Sequence, residues 1–279
     1  MPSGKRARQQ RQQGVAPKAP PPVRSKGGGP GMRRADPKVL AIVGGGLAGV
    51  VVLVLVLWAV GVIGGKSSGI PSGTPTIGRI DASSLPGAAD IQALYKGIPQ
   101  NGLTLGKPDA PVTMVMFIDL QCPVCQQFEV TSLPTIVQKY IRPGKVKLEL
   151  KPWAFIGSDS FKARKALIAA SYQNKAFEWA GVLYDNQQPE NSGWVTDSML
   201  AQISASVTGL NVPQLFAARN TQQTTQIAKQ VDDLANADGV TGTPTVLIGA
   251  GAQKPKDVTA PGSSPTLNEV TSAIDNALG

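Results

Sequence analysis

Hydrophobic and polar positions divide the 279-residue chain into four unlike stretches. Residues 1–38 show no periodic apolar pattern and consist largely of Gln, Pro, Gly, Lys and Arg. They offer too little apolar surface to offset the entropy of ordering, so they read as a disordered tail. Residues 39–65 are 27 uncharged residues whose centre, Val50 to Val60, is nearly all Val and Leu. At a rise of about 1.5 Å per residue, roughly 20 residues cross a hydrocarbon core, so this stretch predicts a transmembrane helix. Residues 66–88, with the run Ser67-Ser68-Gly69-Ile70-Pro71-Ser72-Gly73-Thr74-Pro75, again lack periodicity and read as a flexible linker.

The fourth stretch, 89–279, alternates strand and helix signals without an internal repeat. Val112 to Ile118 follows Pro111 as a short, almost wholly apolar run of strand formers, which predicts a central buried strand. Phe128, Leu133, Ile136, Val137 and Tyr140 then predict a helix ending near Arg142-Pro143-Gly144. Val146, Leu148 and Leu150 alternate with Lys145, Lys147 and Glu149, the period of a strand with one solvated face. From Ser158 to about Asn236 the pattern is helical: Phe177, Ala180 and Tyr184 share one face, and Ile227, Val231 and Leu234 another. Thr245 to Ile248 predicts a further strand, continued by a hairpin through Gly249 to Val258. Thr266 and Glu269 form a capping box ahead of Leu267, Val270, Ile274 and Leu278, which predicts the closing helix. This order is that of an α/β domain, and its length suffices for one core.

Charge and composition narrow the chemistry. Ten of the 27 Lys and Arg residues lie in the first 38 positions beside the single acid Asp36, and the remaining 17 basic residues balance 17 acidic ones. The net charge of +9 therefore belongs to the tail, and the body does not read as a nucleic-acid binder. Basic residues before the span place that side in the cytoplasm and the 89–279 domain outside it. A secretory signal peptide competes with this reading, but its apolar region is usually only about 7 to 15 residues long. Gly45 and Gly49 form a small-xxx-small pair in the span. With no histidine, the chain cannot use a Ser-His-Asp or Cys-His pair, nor a His-ligated metal.

Only two cysteines occur, spaced Cys122-Pro123-Val124-Cys125, where the strand gives way to the helix. At a helix N-terminus, unpaired N–H groups and the dipole favour a thiolate. Cys122, at the exposed tip, is the expected nucleophile, and Cys125, a turn further in, the resolving thiol. Pro123 suits a first helical turn because its φ is fixed and it has no N–H to leave unpaired. A structural zinc site lacks ligands here, since two Cys and no His are too few without a second chain or carboxylates. A purely structural disulfide is compatible with an exported domain, although bridging residues three apart restricts the unfolded chain little. Asp119 either sits near the sulfurs or ends the strand. Trp153 either flanks the site or packs in the core, and Asp232 and Asp233 read as a solvated helix face.

The segment from Leu103 to Phe128, with Thr-Leu-Gly-Lys-Pro-Asp-Ala-Pro before the strand and Asp-Leu-Gln-Cys-Pro-Val-Cys after it, closely resembles the active-site region of DsbA-like thiol:disulfide oxidoreductases. The resemblance extends to Val240-Thr241-Gly242-Thr243-Pro244-Thr245 and to the helical block between the two. It implies a thioredoxin-like fold with an inserted helical domain at about 158–236. It also implies Cys122 and Cys125 as the redox pair, Pro123 and Val124 as the tuning dipeptide, and Thr243-Pro244 as a cis-proline loop that receives substrate. An ordinary turn is the alternative for that loop. No cofactor or metal is expected beyond the Cys122–Cys125 disulfide itself. Exported proteins with cysteines would be the substrates, and a membrane partner of the DsbB or vitamin K epoxide reductase type would reset the pair. Strongly oxidising members carry histidine where Val124 stands, so the Cys122 pKa should lie below about 8.5 but above theirs. The competing class is a thioredoxin-fold adaptor or chaperone whose disulfide is structural.

Overall fold

The computed structural model describes residues 84–259 and 263–279. The basic tail, the apolar span with Gly45 and Gly49, and the linker up to residue 83 lie outside the described residues. Among the described residues no helix is long and apolar enough to cross a membrane. The last residues assigned to the linker are held against the domain, with the Leu85 N–H donating to Ser206 Oγ at 2.9 Å.

Among the described residues six strands form one sheet. In chain order they are β1 (Gln100–Asn101), β2 (Thr104–Leu105), β3 (Val112–Ile118), β4 (Val146–Pro152), β5 (Thr245–Ala250) and β6 (Lys256–Asp257). Their spatial order is β1-β2-β4-β3-β5-β6, with β3 parallel to β4 and antiparallel to β5. The near-continuous apolar run in β3 is explained by this central position, since both of its faces are covered. Val112, Met114, Met116 and Ile118 enter the main core. Val115 and Phe117 point the other way, into a smaller cluster with Leu247 and Ala235. β4 buries Val146, Leu148 and Leu150 and leaves Lys147, Glu149 and Lys151 half-buried, as its alternation predicts.

The first helix, α1 (Ala88–Tyr95), and the β1–β2 hairpin were not assigned from the sequence. Strands of two residues are too short to show a period. After β3 comes α2 (Pro123–Thr131), then the one-turn α3 (Leu133–Ile136) and a π-helical turn at Val137–Ile141. The sequence predicted one helix here, and the structure breaks it at Ser132. Pro134 has no N–H to offer the preceding turn, so the α-helical ladder cannot continue through it.

The helical block consists of α4 (Ser158–Ser171), α5 (Ala176–Asp185), α6 (Asp197–Ala205), α7 (Val212–Ala218) and α8 (Gln222–Ala237). It lies between β4 and β5 in sequence, so it is an insertion in the thioredoxin-like fold. Its centre is dry: Phe177, Trp179, Leu183 and Tyr184 of α5 are at most 1% exposed. The buried Trp179 indole donates to Ser204 Oγ at 3.0 Å. The closing helix α9 (Leu267–Leu278) carries the capping box on Thr266 and Glu269 and buries Val270 and Ile274. Asp233 pairs with Lys229 on the α8 surface, whereas Asp232 reaches across to Arg164 of α4 at 2.6 Å, which is a tertiary contact rather than a free solvated face.

Candidate active site

β3 ends in the buried interior, and the chain must turn there to start α2. Asp119, Leu120 and Gln121 make the turn, all 1% exposed. Cys122 is the N-cap of α2 with φ −67 and ψ 119, and Pro123 follows at the first helical position. The Cys122 N–H donates to the Asp119 carbonyl at 3.0 Å.

Both cysteines are free thiols. Cys122 is only 6% exposed, less than a helix tip suggested, because the loop before β5 closes over it. Its sulfur donates to the Thr243 carbonyl at 3.4 Å, and the Thr243-Pro244 peptide is cis. All six residues expected at the site, Cys122, Pro123, Val124, Cys125, Thr243 and Pro244, thus meet at one end of the sheet. Val124, Phe128, Pro244 and Leu267 line a shallow groove of about 280 Å³ beside them.

The two thiols are electrostatically unequal. The Cys122 pKa is lowered from 9.0 to about 6. The Cys125 thiol contributes most by donating to the Cys122 thiolate; burial opposes it, and Thr243 and the N–H groups of Cys125 and Val124 support it. Burial pushes the Cys125 thiol well above its usual value, and the hydrogen bond and charge of Cys122 push it the same way. A thiolate therefore forms at Cys122 while Cys125 holds its proton until the Cys122 charge is removed. The depressed Cys122 value agrees in direction with the expectation, but its largest cause is the Cys125 thiol, and the N–H groups at the helix start contribute least.

Further residues build the site without any local signal in the sequence. Tyr184 of α5 is fully buried and donates its hydroxyl to the Asp119 carbonyl at 3.0 Å. Gln126 of α2 donates to the Tyr184 carbonyl at 2.7 Å, which locks α2 to the inserted helices. Gln187 donates to the Leu120 carbonyl at 3.3 Å. These partners come from about 60 residues away, and only the fold brings them in. Asp119 proves to be at the site, whereas Trp153 packs in the small cluster on the other sheet face and stacks on Phe155 with ring centroids 4.5 Å apart.

Comparison with known proteins places this arrangement. A thioredoxin family model matches residues 99–275. A probable disulfide bond formation protein D from Bacillus cereus is 32% identical over 178 residues, covering 63% of this chain and 78% of that protein. Disulfide bond formation protein D from Bacillus subtilis is 30% identical over 169 residues, covering 58% of this chain and 72% of the relative. The crystal structure of oxidised BdbD from Bacillus subtilis superposes with a TM-score of 0.56 at 24% identity, covering 65% of this chain and 97% of that one. DsbA from Chlamydia trachomatis gives 0.53 at 23% identity, covering 62% and 90%. The family match spans more than half of the chain and holds both cysteines and the loop that faces them, so this chain belongs to the thioredoxin family as a DsbA-like thiol:disulfide oxidoreductase.

Proposed function

We propose that the chain is a membrane-anchored, extracytoplasmic oxidase that donates its Cys122–Cys125 disulfide to exported proteins. The observation that carries the reading is the inequality of the two thiols at the head of α2. With a Cys122 pKa of about 6, thiolate outnumbers thiol roughly ten to one at pH 7. A stabilised thiolate favours the reduced pair, and so makes the disulfide the better oxidant. The relatives named for disulfide bond formation support the same direction.

In the oxidising cycle a substrate thiolate attacks Cys122 Sγ, the internal S–S bond breaks, and Cys125 leaves and takes a proton. A second substrate thiolate then attacks the mixed disulfide, and Cys122 leaves as the thiolate. The substrate gains a disulfide, and its two electrons remain on the enzyme dithiol. No bound cofactor takes part; a membrane oxidase of the DsbB or vitamin K epoxide reductase type removes the electrons. Pro123 and Val124 tune the pair, and the Thr243-Pro244 loop receives the substrate strand. The span at 39–65 anchors the chain with its N-terminus in the cytoplasm.

Equilibration of the chain against graded glutathione buffers, read by mass after alkylation, tests this reading. A potential well on the oxidising side of thioredoxin's, which is about −270 mV, is expected. A potential near that value would make the chain a reductase. A pair that stays oxidised in every buffer would make the disulfide structural, as in an adaptor.

A further inference from the structure

Asp119 is 1% exposed. A carboxylate in such surroundings is costly unless its lone pairs are met by donors. Here four donors converge on it. Oδ1 accepts from the Gln121 N–H at 2.9 Å and from the Ser160 hydroxyl at 2.6 Å. Oδ2 accepts from the N–H groups of Phe155 at 2.9 Å and Ile156 at 3.1 Å. The network continues one step outward: Gln121 Nε2 donates to Ser160 Oγ at 2.9 Å, and the Asn191 N–H donates to Gln121 Oε1 at 2.7 Å. The side chain thus ties the end of β3 to the segment after β4 and to the first turn of α4.

The backbone of the same residue holds the start of α2. Its carbonyl accepts the Cys122 N–H at 3.0 Å and the Tyr184 hydroxyl at 3.0 Å. Burial, and then Cys122, push the Cys125 pKa up, and among the smaller opposing influences is a hydrogen bond from the Asp119 backbone.

We propose that Asp119 is a positioning residue for thiol exchange: its carboxylate, held by the 155–160 segment, fixes the backbone that seats Cys122 and Cys125 at the head of α2. The inserted helical domain thereby sets the geometry of the redox pair. This rests on Cys122 being the exchanging thiol. The proposal also fixes a sign. A buried anion acting only through its charge disfavours a nearby thiolate, so removing it would lower the Cys122 pKa. A positioning carboxylate does the reverse: its loss loosens the donors that favour the thiolate, and the Cys122 pKa rises.

The experiment is a thiolate titration by ultraviolet absorbance on the full reduced chain, with thermal unfolding as the parallel readout of fold. Asp119→Asn sets amide hydrogens against groups that are themselves donors, and Ser160→Ala deletes one of the four donors. The parent should titrate Cys122 near 6. Asp119→Asn should raise this by about one unit, a tenfold fall in the thiolate-to-thiol ratio, and Ser160→Ala should move it the same way by less. A lower melting temperature with an unmoved Cys122 pKa would reduce Asp119 to a structural residue and overturn the proposal. A fall in the Cys122 pKa would overturn it in favour of charge alone. Should Asp119→Asn fail to fold, Ser160→Ala decides on the same criterion. A parent that lacks a depressed Cys122 pKa would instead remove the functional reading beneath the proposal, which distinguishes the two failures.

Discussion

The Tyr95 hydroxyl donates to Glu129 Oε1 at 3.2 Å inside the domain, joining α1 to the far turn of the helix that begins at Cys122. Burial raises the Glu129 pKa from 4.5 to about 7, against the opposing hydrogen bond from Tyr95 and with help from the charge of Asp185. The folded state therefore binds this proton more tightly than the unfolded chain. Stability from this group is fully present below pH 4.5 and is lost as the pH rises through 7. A shift of this size corresponds to about 3 kcal/mol at most. Glu129→Gln keeps an acceptor for Tyr95 and cannot ionise. Urea unfolding of the oxidised chain, in which the Cys122–Cys125 disulfide removes both thiol titrations, should at pH 5 and pH 8 show the parent weaker at pH 8 and the variant nearly level. An equal pH dependence in both would place the ionisation elsewhere.

Thr243 Oγ1 is buried without a hydrogen-bond partner among the described residues while Cys122 is a thiol. Its hydroxyl is nevertheless among the groups that lower the Cys122 pKa, after the Cys125 thiol. The two facts fit a donor that waits for the thiolate to form. Thr243→Val preserves shape and removes that donor. The Cys122 pKa should rise by a few tenths to one unit, and equilibration with glutathione should show a correspondingly less oxidising disulfide. A pKa unchanged from the parent would remove Thr243 from the set of tuning groups.

Where the chain carries a local signal, sequence and structure agree. The apolar run of β3, the alternation in β4 and the capping box on Thr266 are decided by neighbours within a few residues, and each was legible. The break at Ser132 and Pro134 was written in the sequence too, but the apolar spacing on either side masked it. The redox pair was legible because two cysteines at a strand-to-helix junction have few other uses. Its surroundings were not: Ser160, Tyr184 and Asn191 are ordinary polar and aromatic residues in helical or loop contexts. Their function follows from where the inserted helices dock, which no local pattern encodes. Cys122 is less exposed than its helix-tip position suggested because the loop carrying Thr243 arrives from 121 residues away.

Gly106 follows β2 with φ +107, and a Cβ there would lie 2.9 Å from the Val146 carbonyl oxygen. The position thus combines a backbone conformation that side chains avoid with a close approach to backbone that cannot swing aside. Gly106→Ala should lower stability by about 1–3 kcal/mol, measured by urea unfolding. The site is at the other end of β4, so the Cys122 pKa should stay near that of the parent. A loss of stability accompanied by a shifted Cys122 pKa would show that the sheet edge and the site are coupled.

The largest influence lowering the Cys122 pKa is the hydrogen bond from the Cys125 thiol. Substitutions at Cys125 therefore test both its roles, donor and resolving nucleophile. Serine can still donate, so Cys125→Ser should leave the Cys122 pKa well below 9.0, the ordinary value. Alanine cannot donate, and Cys125→Ala should raise the Cys122 pKa above that of the serine variant by about one unit. Neither variant can resolve a mixed disulfide. With oxidised glutathione as the probe, the Cys122 thiolate attacks one sulfur, one glutathione leaves as the thiolate, and the other stays bound to the enzyme. Mass spectrometry should then find a stable adduct on both variants, formed faster near neutral pH on the serine variant because more thiolate is present. The dithiol parent should clear the adduct as Cys125 displaces the second glutathione and closes the internal disulfide. Cys122→Ser should form no such adduct at the remaining buried thiol, whose pKa burial holds high. Adducts that accumulate on Cys125 instead of Cys122 would reverse the assignment of nucleophile and resolving thiol.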